Sequence, residues 1–258
     1  MPNPYIEFAA HYTCPACAKA GTLRPNLSCL DINGEPTIIA VCAHCLVQAN
    51  MTAVIAHHDG LIDNMSNQTA ARDTIYSVEV DNVDAIRKQI ADNMFLTDLL
   101  ATKRSNLKSL VYLDVGYGAG YSLYAATERM GHVMGVDLYD DSIRNICAAV
   151  GEPTNLELKG DIAALSQPAD VVILWHTLEH IPNCPEFIGA LRTKMLPSGC
   201  ILLQVPLFQP RAVVDVHFSF FGLASLRSLF FSTGFEEEDY WFDNENGFVT
   251  YMAKLPAS

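Results

Sequence analysis

Basic residues are scarce in this chain. Its 16 Lys and Arg stand against 29 Asp and Glu, a formal net charge of −13 over 258 residues. An acidic surface repels phosphate backbones and no Lys/Arg run offsets it, which argues against general nucleic-acid affinity. Long apolar runs are also lacking. Stretches such as Val171–Trp175 and Ile201–Leu203 are short, far below the roughly 20 residues that span a bilayer. Met1–Thr13 carries Pro2, Pro4, Glu7 and His11 and has neither the charged head nor the apolar core of a signal peptide. Internal repeats and low-complexity tracts are absent. These absences point to a cytoplasmic protein without membrane contact, whose substrate is a small molecule or a side chain of another protein.

What is present can bury a large core: 50% of the residues are hydrophobic and 17% charged. The length suits one α/β domain with a small appendage. Structural disulfides are rare in the cytoplasm, so the eight cysteines need another explanation. Four of them form two close pairs, Cys14-Pro-Ala-Cys17 and Cys42-Ala-His-Cys45, separated by 24 residues. Between the pairs lie a turn at Asn33-Gly34 and the β-rich run Pro36–Val41. Two Cys-x2-Cys knuckles around a hairpin predict a structural zinc site held by Cys14, Cys17, Cys42 and Cys45. In so small a module the ion replaces a missing core. His44 lies inside the second knuckle and is not read as a ligand.

The remaining chain divides by periodicity. Residues 61–79 are polar and read as a connector. Between Asn82 and Leu100, Val83, Ile86, Ile90, Met94, Leu96, Leu99 and Leu100 recur at mostly helical spacing, predicting one or two amphipathic helices. From Leu110 onward strands and helices alternate. Strands are expected at Leu110–Val115, His132–Val136, Asn155–Leu158, Val171–Trp175 and Ile201–Val205. Helices are expected at Tyr121–Met130, Asp141–Ala149, Pro185–Met195 and Leu223–Ser232. Alternation of this kind implies a mostly parallel sheet covered on both faces. The last two strands, Phe235–Phe242 and Phe248–Ala253, are joined by the short turn Asn244–Gly247 and must form an antiparallel hairpin. The domain reading is a zinc-binding ribbon at 1–60, a helical connector or lid at 61–105 and a cofactor domain at 106–258.

The central motif is Asp114-Val115-Gly116-Tyr117-Gly118-Ala119-Gly120, between a buried strand and a helix. Glycines there allow a tight turn and close approach of backbone to a ligand. Asp137 ends the next strand, 21 residues after Gly116, a distance suited to binding ribose hydroxyls. A dinucleotide fingerprint would need glycine at the sixth position, where Tyr121 stands. A nicotinamide-dependent oxidoreductase is thereby disfavoured.

Residues 110–258 resemble the class I S-adenosylmethionine-dependent methyltransferases. Leu113–Gly120 is similar to that family's first motif, which holds the methionine end of the cofactor and includes Asp114, Gly116, Gly118 and Gly120. Val136-Asp137-Leu138 resembles the second, with the acid on the ribose. Lys159-Gly160-Asp161-Ile162 resembles the third, which implies Asp161 at the adenine amino group and Ile162 against the ring. Asp170–Pro182, which contains Trp175, resembles the fourth, at the mouth of the active site. Leu196–Cys200 resembles the turn before the fifth strand. The resemblance implies a Rossmann-like seven-stranded sheet of order 3-2-1-4-5-7-6, with the last strand antiparallel. Val41–Gln48 resembles the N-terminal zinc segment of some bacterial small-molecule methyltransferases, including sugar C-methyltransferases.

Methyl transfer from a sulfonium needs alignment and, for many acceptors, a base. His180, helped by His176 or His217, is read as the base, since neutral imidazole suits proton removal. His176, Glu179 and His180 also form a His-x-x-Glu-His cluster that, with His217, could bind a divalent ion. The aromatic residues Phe208, Phe218–Phe221 and Tyr240–Phe242 read mainly as packing. The leading expectation is an enzyme that methylates a small metabolite. Two alternatives stand beside it: an inactive zinc-ribbon adaptor with a methyltransferase fold, and an RNA methyltransferase.

Overall fold

The structure is a computed structural model that describes residues 11–62, 78 and 81–257. Most of the connector read at 61–79, and of the start Met1–Thr13, lies outside those residues. Among the described residues no helix is long and apolar enough to cross a membrane.

Two sheets organise the chain. The larger contains β4 (Val111–Val115), β5 (His132–Val136), β6 (Leu156–Lys159), β7 (Ala169–Trp175), β8 (Met195–Pro206), β10 (Glu236–Asp243) and β11 (Phe248–Lys254). Its order is β6-β5-β4-β7-β8-β11-β10. Numbered within the sheet, that is the expected 3-2-1-4-5-7-6. β4 pairs parallel with β5 and β7, and β5 parallel with β6. β10 and β11 form the antiparallel hairpin, as the short turn between them requires. The central strands are apolar without alternation because both faces are covered: Val171, Val172, Ile173 and Leu174 are all fully buried.

The smaller sheet has the order β1-β2-β3-β9. It joins β1 (Leu23–Leu30), β2 (Pro36–Cys42), β3 (Gln48–Asn50) and β9 (Ser219–Phe220). Asp31 closes the β1–β2 turn by accepting from the backbone N–H groups of Asn33 and Glu35, both at 2.8 Å. Sequence periodicity reveals the hairpin but not β9. Two residues are too few to show alternation, and Phe218–Phe221 reads equally well as core.

The chain also divides into two compact units. One comprises residues 1–67, 175–192 and 202–257; the other comprises 68–174 and 193–201, with residue 258. In the first, the helix α1 (Met51–His58) follows β3 directly and was not foreseen from the pattern. In the second, the expected amphipathic stretch forms two helices, α2 (Val83–Asp92) and α3 (Phe95–Ala101). Asn82 caps α2 by accepting from the Ala85 N–H at 3.1 Å. Ile86 and Ile90, one turn apart, supply its buried face. α4 (Tyr121–Thr127) and α5 (Asp141–Val150) follow β4 and β5. In the first unit, α6 (Cys184–Arg192) and α7 (Leu223–Ser232) lie in the expected places. Several boundaries differ: the helix expected at Tyr121–Met130 ends at Thr127, and the strand expected from Ile201 starts six residues earlier. The helix expected to reach Met195 stops at Arg192, and β8 already begins at Met195. The Pro197–Gly199 turn is thus folded into the strand, with Ser198 in a left-handed conformation at φ 63°.

Asn50 joins several parts of the first unit. It is buried, its Nδ2 donates to the Val214 carbonyl at 2.9 Å, and its Oδ1 accepts from the Thr37 hydroxyl at 3.0 Å and the Thr52 N–H at 3.1 Å. Its own N–H donates to the Phe218 carbonyl at 3.1 Å. Truncation would orphan buried groups, each at a cost of about 1–3 kcal/mol. Asn50→Ala is therefore expected to lower stability to urea by about 2 kcal/mol or more, whereas Asn33→Ala in the exposed hairpin turn should stay within about 0.5 kcal/mol. Equal effects at the two positions would contradict this assignment.

Candidate functional site

β4 delivers Asp114 and Val115 to the carboxyl ends of the strands, and the chain then reverses into α4 through three left-handed glycines. Gly116, Gly118 and Gly120 have φ of 75°, 57° and 87°, values that side-chain-bearing residues adopt only with strain. A Cβ at Gly120 would also come within 2.8 Å of Ile143 on α5. The turn is pinned from the neighbouring strand. Asp137, at the end of β5, accepts from the Gly118 N–H at 3.0 Å through Oδ2 and from the Tyr139 N–H at 3.3 Å through Oδ1.

Asp114 is buried beside this turn. Its Oδ2 accepts from the Ser122 hydroxyl at 3.1 Å, while Oδ1 has no hydrogen-bond partner. Burial pushes its carboxyl up to about 7, the Ser122 hydrogen bond opposes the rise, and the Asp137 charge adds to it. Ser122 was not foreseen, although its place in the first turn of α4 is the signal that would have found it. Leu138 is 55% exposed, an apolar side chain left open just beyond Asp137. One strand further out, Asp161 is exposed and accepts from the Ala163 N–H at 2.8 Å, with the half-buried Ile162 beside it. Trp175 ends β7 half-buried. A buried carboxylate oxygen without a donor, next to a turn where backbone can approach a ligand, fits a group that brings positive charge and N–H donors.

The segment after Trp175 carries the histidines. His176 stands at φ 54°, an unusual value for a residue other than glycine. Its N–H donates to the Gln204 carbonyl at 2.9 Å. Its Nδ1 lies 3.5 Å from Oε1 of Glu179, and its ring packs edge-on to Phe248 with centroids 4.8 Å apart. The Glu179 side chain is 1% exposed and that of His176 is 37% exposed. Burial pushes the Glu179 carboxyl up. The His176 hydrogen bond, with the electrostatic pull of the surrounding histidines added, outweighs that and leaves it below its ordinary value. His180 Nδ1 sits 3.1 Å from the Val216 carbonyl, and His217 Nδ1 2.8 Å from the Ala212 carbonyl. The two rings lie 4.6 Å apart. Burial, helped by the neighbouring His180, lowers His217 to about 4, so this ring stays neutral at working pH.

The knuckle cysteines come together. Cys14 and Cys45 Sγ are 3.7 Å apart, as are those of Cys17 and Cys42, and all four sulfurs lie within 4.8 Å of one another. No pair is disulfide-bonded. Four thiolates at 2.3 Å from one tetrahedral zinc would stand about 3.8 Å apart, so the cluster fits that ion. Left-handed residues at Ala18 and Leu46 turn the two knuckles. The backbone N–H groups of His44 and Cys45 point at Cys42 Sγ, at 3.4 and 3.5 Å, as donors to a thiolate would. His44 Nδ1 instead faces the Lys19 ammonium at 3.4 Å in an exposed position.

Known proteins resemble this chain in the same regions. A family profile described as "Methyltransferase domain" matches residues 85–239. A ubiquinone biosynthesis O-methyltransferase from Leptothrix cholodnii is 30% identical over 105 residues, which are 38% of this chain and 45% of that enzyme. The match thus spans less than half of that relative. Magnesium protoporphyrin IX methyltransferase from Synechocystis PCC 6803, crystallised with SAH, superposes with TM-score 0.55 at 15% identity, covering 77% of this chain and 99% of that one. A chain from the complex of the Haloferax volcanii Trm112 methyltransferase activator with a putative methyltransferase does so with TM-score 0.54 at 14% identity, covering 70% and 100%. At such identities the superpositions show the fold alone.

The raised carboxyl of Asp114 has a consequence for stability. Its folded pKa of about 7 lies above the ordinary 3.8, so the group costs nothing below about pH 4, and the cost grows between pH 4 and 7 and is complete above pH 7. Asp114→Asn should therefore stabilise the ligand-free protein at pH 8 by at most roughly 4 kcal/mol and have little effect at pH 4. Urea unfolding at both pH values checks this. An equal change at both would contradict the burial account.

Proposed function

The chain belongs to the methyltransferase-domain family, and from that premise we propose that it carries a methyl group from S-adenosylmethionine to a small-molecule acceptor. The observation that carries the cofactor assignment is the turn from Gly116 to Gly120, pinned to Asp137 through the Gly118 N–H at 3.0 Å. Asp114 and the glycine backbone would hold the methionine end, where the orphan Oδ1 faces positive charge. Asp137 would accept from the ribose hydroxyls. Leu138 and Ile162 would cover the adenine, with Asp161 at its amino group.

The cofactor supplies an electrophilic methyl on a sulfonium; the protein supplies alignment and a place for a proton. Among the three histidines, His176 is the best placed base. It is the more open side chain of the His176–Glu179 pair, and the buried Glu179 carboxylate faces its Nδ1. That arrangement puts the proton on Nδ1 and leaves Nε2 to accept one from the acceptor. His180 and His217 would line the same loops behind it. The acidic surface and the small-molecule relative above favour a metabolite over RNA.

Cys14, Cys17, Cys42 and Cys45 would hold a structural zinc. Backbone hydrogen bonds link this module to the histidine segment within one unit: Cys184 N–H to the Pro15 carbonyl at 2.9 Å, Asn50 N–H to Phe218 at 3.1 Å and Phe218 N–H to Glu179 at 2.8 Å. The metal would thereby set the position of the loop that carries His217.

Labelled S-adenosylmethionine incubated with the protein and a cell extract should place label in the small-molecule fraction. Label confined to RNA or protein would overturn the acceptor class. Asp137→Ala is expected to weaken cofactor binding about fiftyfold or more, and unchanged affinity would remove Asp137 from the ribose. His176→Gln should lower kcat by about 10²–10⁴ with cofactor affinity unchanged; a kcat within threefold of wild type would exclude it as the base. Cys42→Ser should lower the intensity of the thiolate-to-cobalt charge-transfer band of the cobalt-substituted protein, since one of four thiolates is lost, and an unchanged band would refute the four-sulfur site.

A further inference from the structure

A second group of side chains in the first unit has the chemistry of a metal site and takes no part in holding the cofactor. A ring nitrogen of His180, a ring nitrogen of His217 and a carboxylate oxygen of Glu179 lie within 4.8 Å of one another. The hydrogen bonds around them define what each can offer. A carbonyl oxygen only accepts, so His180 Nδ1, 3.1 Å from Val216 O, and His217 Nδ1, 2.8 Å from Ala212 O, must both carry their protons. A ring protonated at Nδ1 alone keeps a lone pair on Nε2. A backbone carbonyl that fixes the far nitrogen of an imidazole is the usual support of a ligating histidine.

Glu179 completes the set. Its Oε1 faces His176, and its buried Oε2 has no hydrogen-bond partner. A buried carboxylate oxygen left without a donor is costly. The cluster thus presents two imidazole lone pairs and an orphan carboxylate oxygen, and it needs a cation in common. The backbone holds these groups in place: the Phe218 N–H donates to the Glu179 carbonyl at 2.8 Å, and the Asn50 N–H to the Phe218 carbonyl at 3.1 Å.

The geometry points to a second metal site, in which Glu179, His180 and His217 bind one divalent transition ion. Two imidazoles and one carboxylate suit zinc, iron(II), cobalt(II) or manganese(II), and disfavour magnesium and calcium, which prefer all-oxygen shells. Three protein ligands leave at least one coordination position open. That position would take water or an oxygen of a hydroxyl-bearing ligand. The inference does not rest on methyl transfer, because its test reads metal binding and not turnover.

The test uses the full chain with its thiolate cluster first filled by one equivalent of zinc, then titrated with cobalt(II). Wild type should bind one further equivalent with Kd in the micromolar range or tighter. Its spectrum should show weak ligand-field bands and no thiolate charge transfer, and millimolar magnesium should not displace the ion. His180→Gln and His217→Gln should each weaken this binding about a hundredfold. If either variant fails to fold, the wild-type stoichiometry and spectrum decide alone. No second equivalent in wild type, a thiolate spectrum, or undiminished binding by both folded variants would overturn the site.

Discussion

The reversal from β4 into α4 is the constraint on which the cofactor half of the molecule depends. The chain must leave a buried parallel strand and enter a helix within five residues. Gly116, Gly118 and Gly120 make that possible with left-handed backbone, and Asp137 fastens the turn to the end of β5. The same few residues set an electrostatic problem. Asp114 is buried with one oxygen unpaired, which weakens the fold at neutral pH. It also prepares the place for a cationic ligand, because a desolvated carboxylate attracts positive charge more strongly than one in water. In the proposed function, the stability cost of burying Asp114 and its attraction for a sulfonium-bearing cofactor would have one origin.

The cysteine half follows a different logic. A hairpin with two knuckles buries little by itself, and here it is not left by itself. β9, from Ser219–Phe220, adds to β3 as a fourth strand, and Asn50 bonds to Val214 and Phe218. The histidine-bearing loop is thereby built into the cysteine sheet. Two knuckles near the start and residues more than 160 positions later share one hydrogen-bond network. A metal that closes the knuckles would act on the loop through backbone bonds, not by touching a ligand.

Much of this was legible in the sequence. The parallel sheet, the terminal hairpin and the cysteine cluster follow from patterns local in sequence: alternation of elements, a short turn, two Cys-x2-Cys pairs; the strand order is what the family resemblance implies. The glycine turn and Asp137 were readable because their spacing is fixed by one strand-helix-strand unit. Three features were not. β9 is two residues long and gains its identity only from β3. The role of Asn50 depends on partners distant in sequence. The orphan oxygen of Glu179 and the hydrogen bonds that fix His180 and His217 arise from packing, which a one-dimensional pattern of His-x-x-Glu-His cannot show.

The account rests most directly on cofactor recognition by the glycine turn. Calorimetric titration of the full chain with S-adenosylhomocysteine, with NADH as the control ligand, tests it in one experiment. Saturable binding of S-adenosylhomocysteine near one per chain, without binding of NADH, is the result expected. Binding of NADH in preference, or of neither ligand, would contradict the cofactor assignment and return the chain to the class of adaptors that keep this fold without its chemistry.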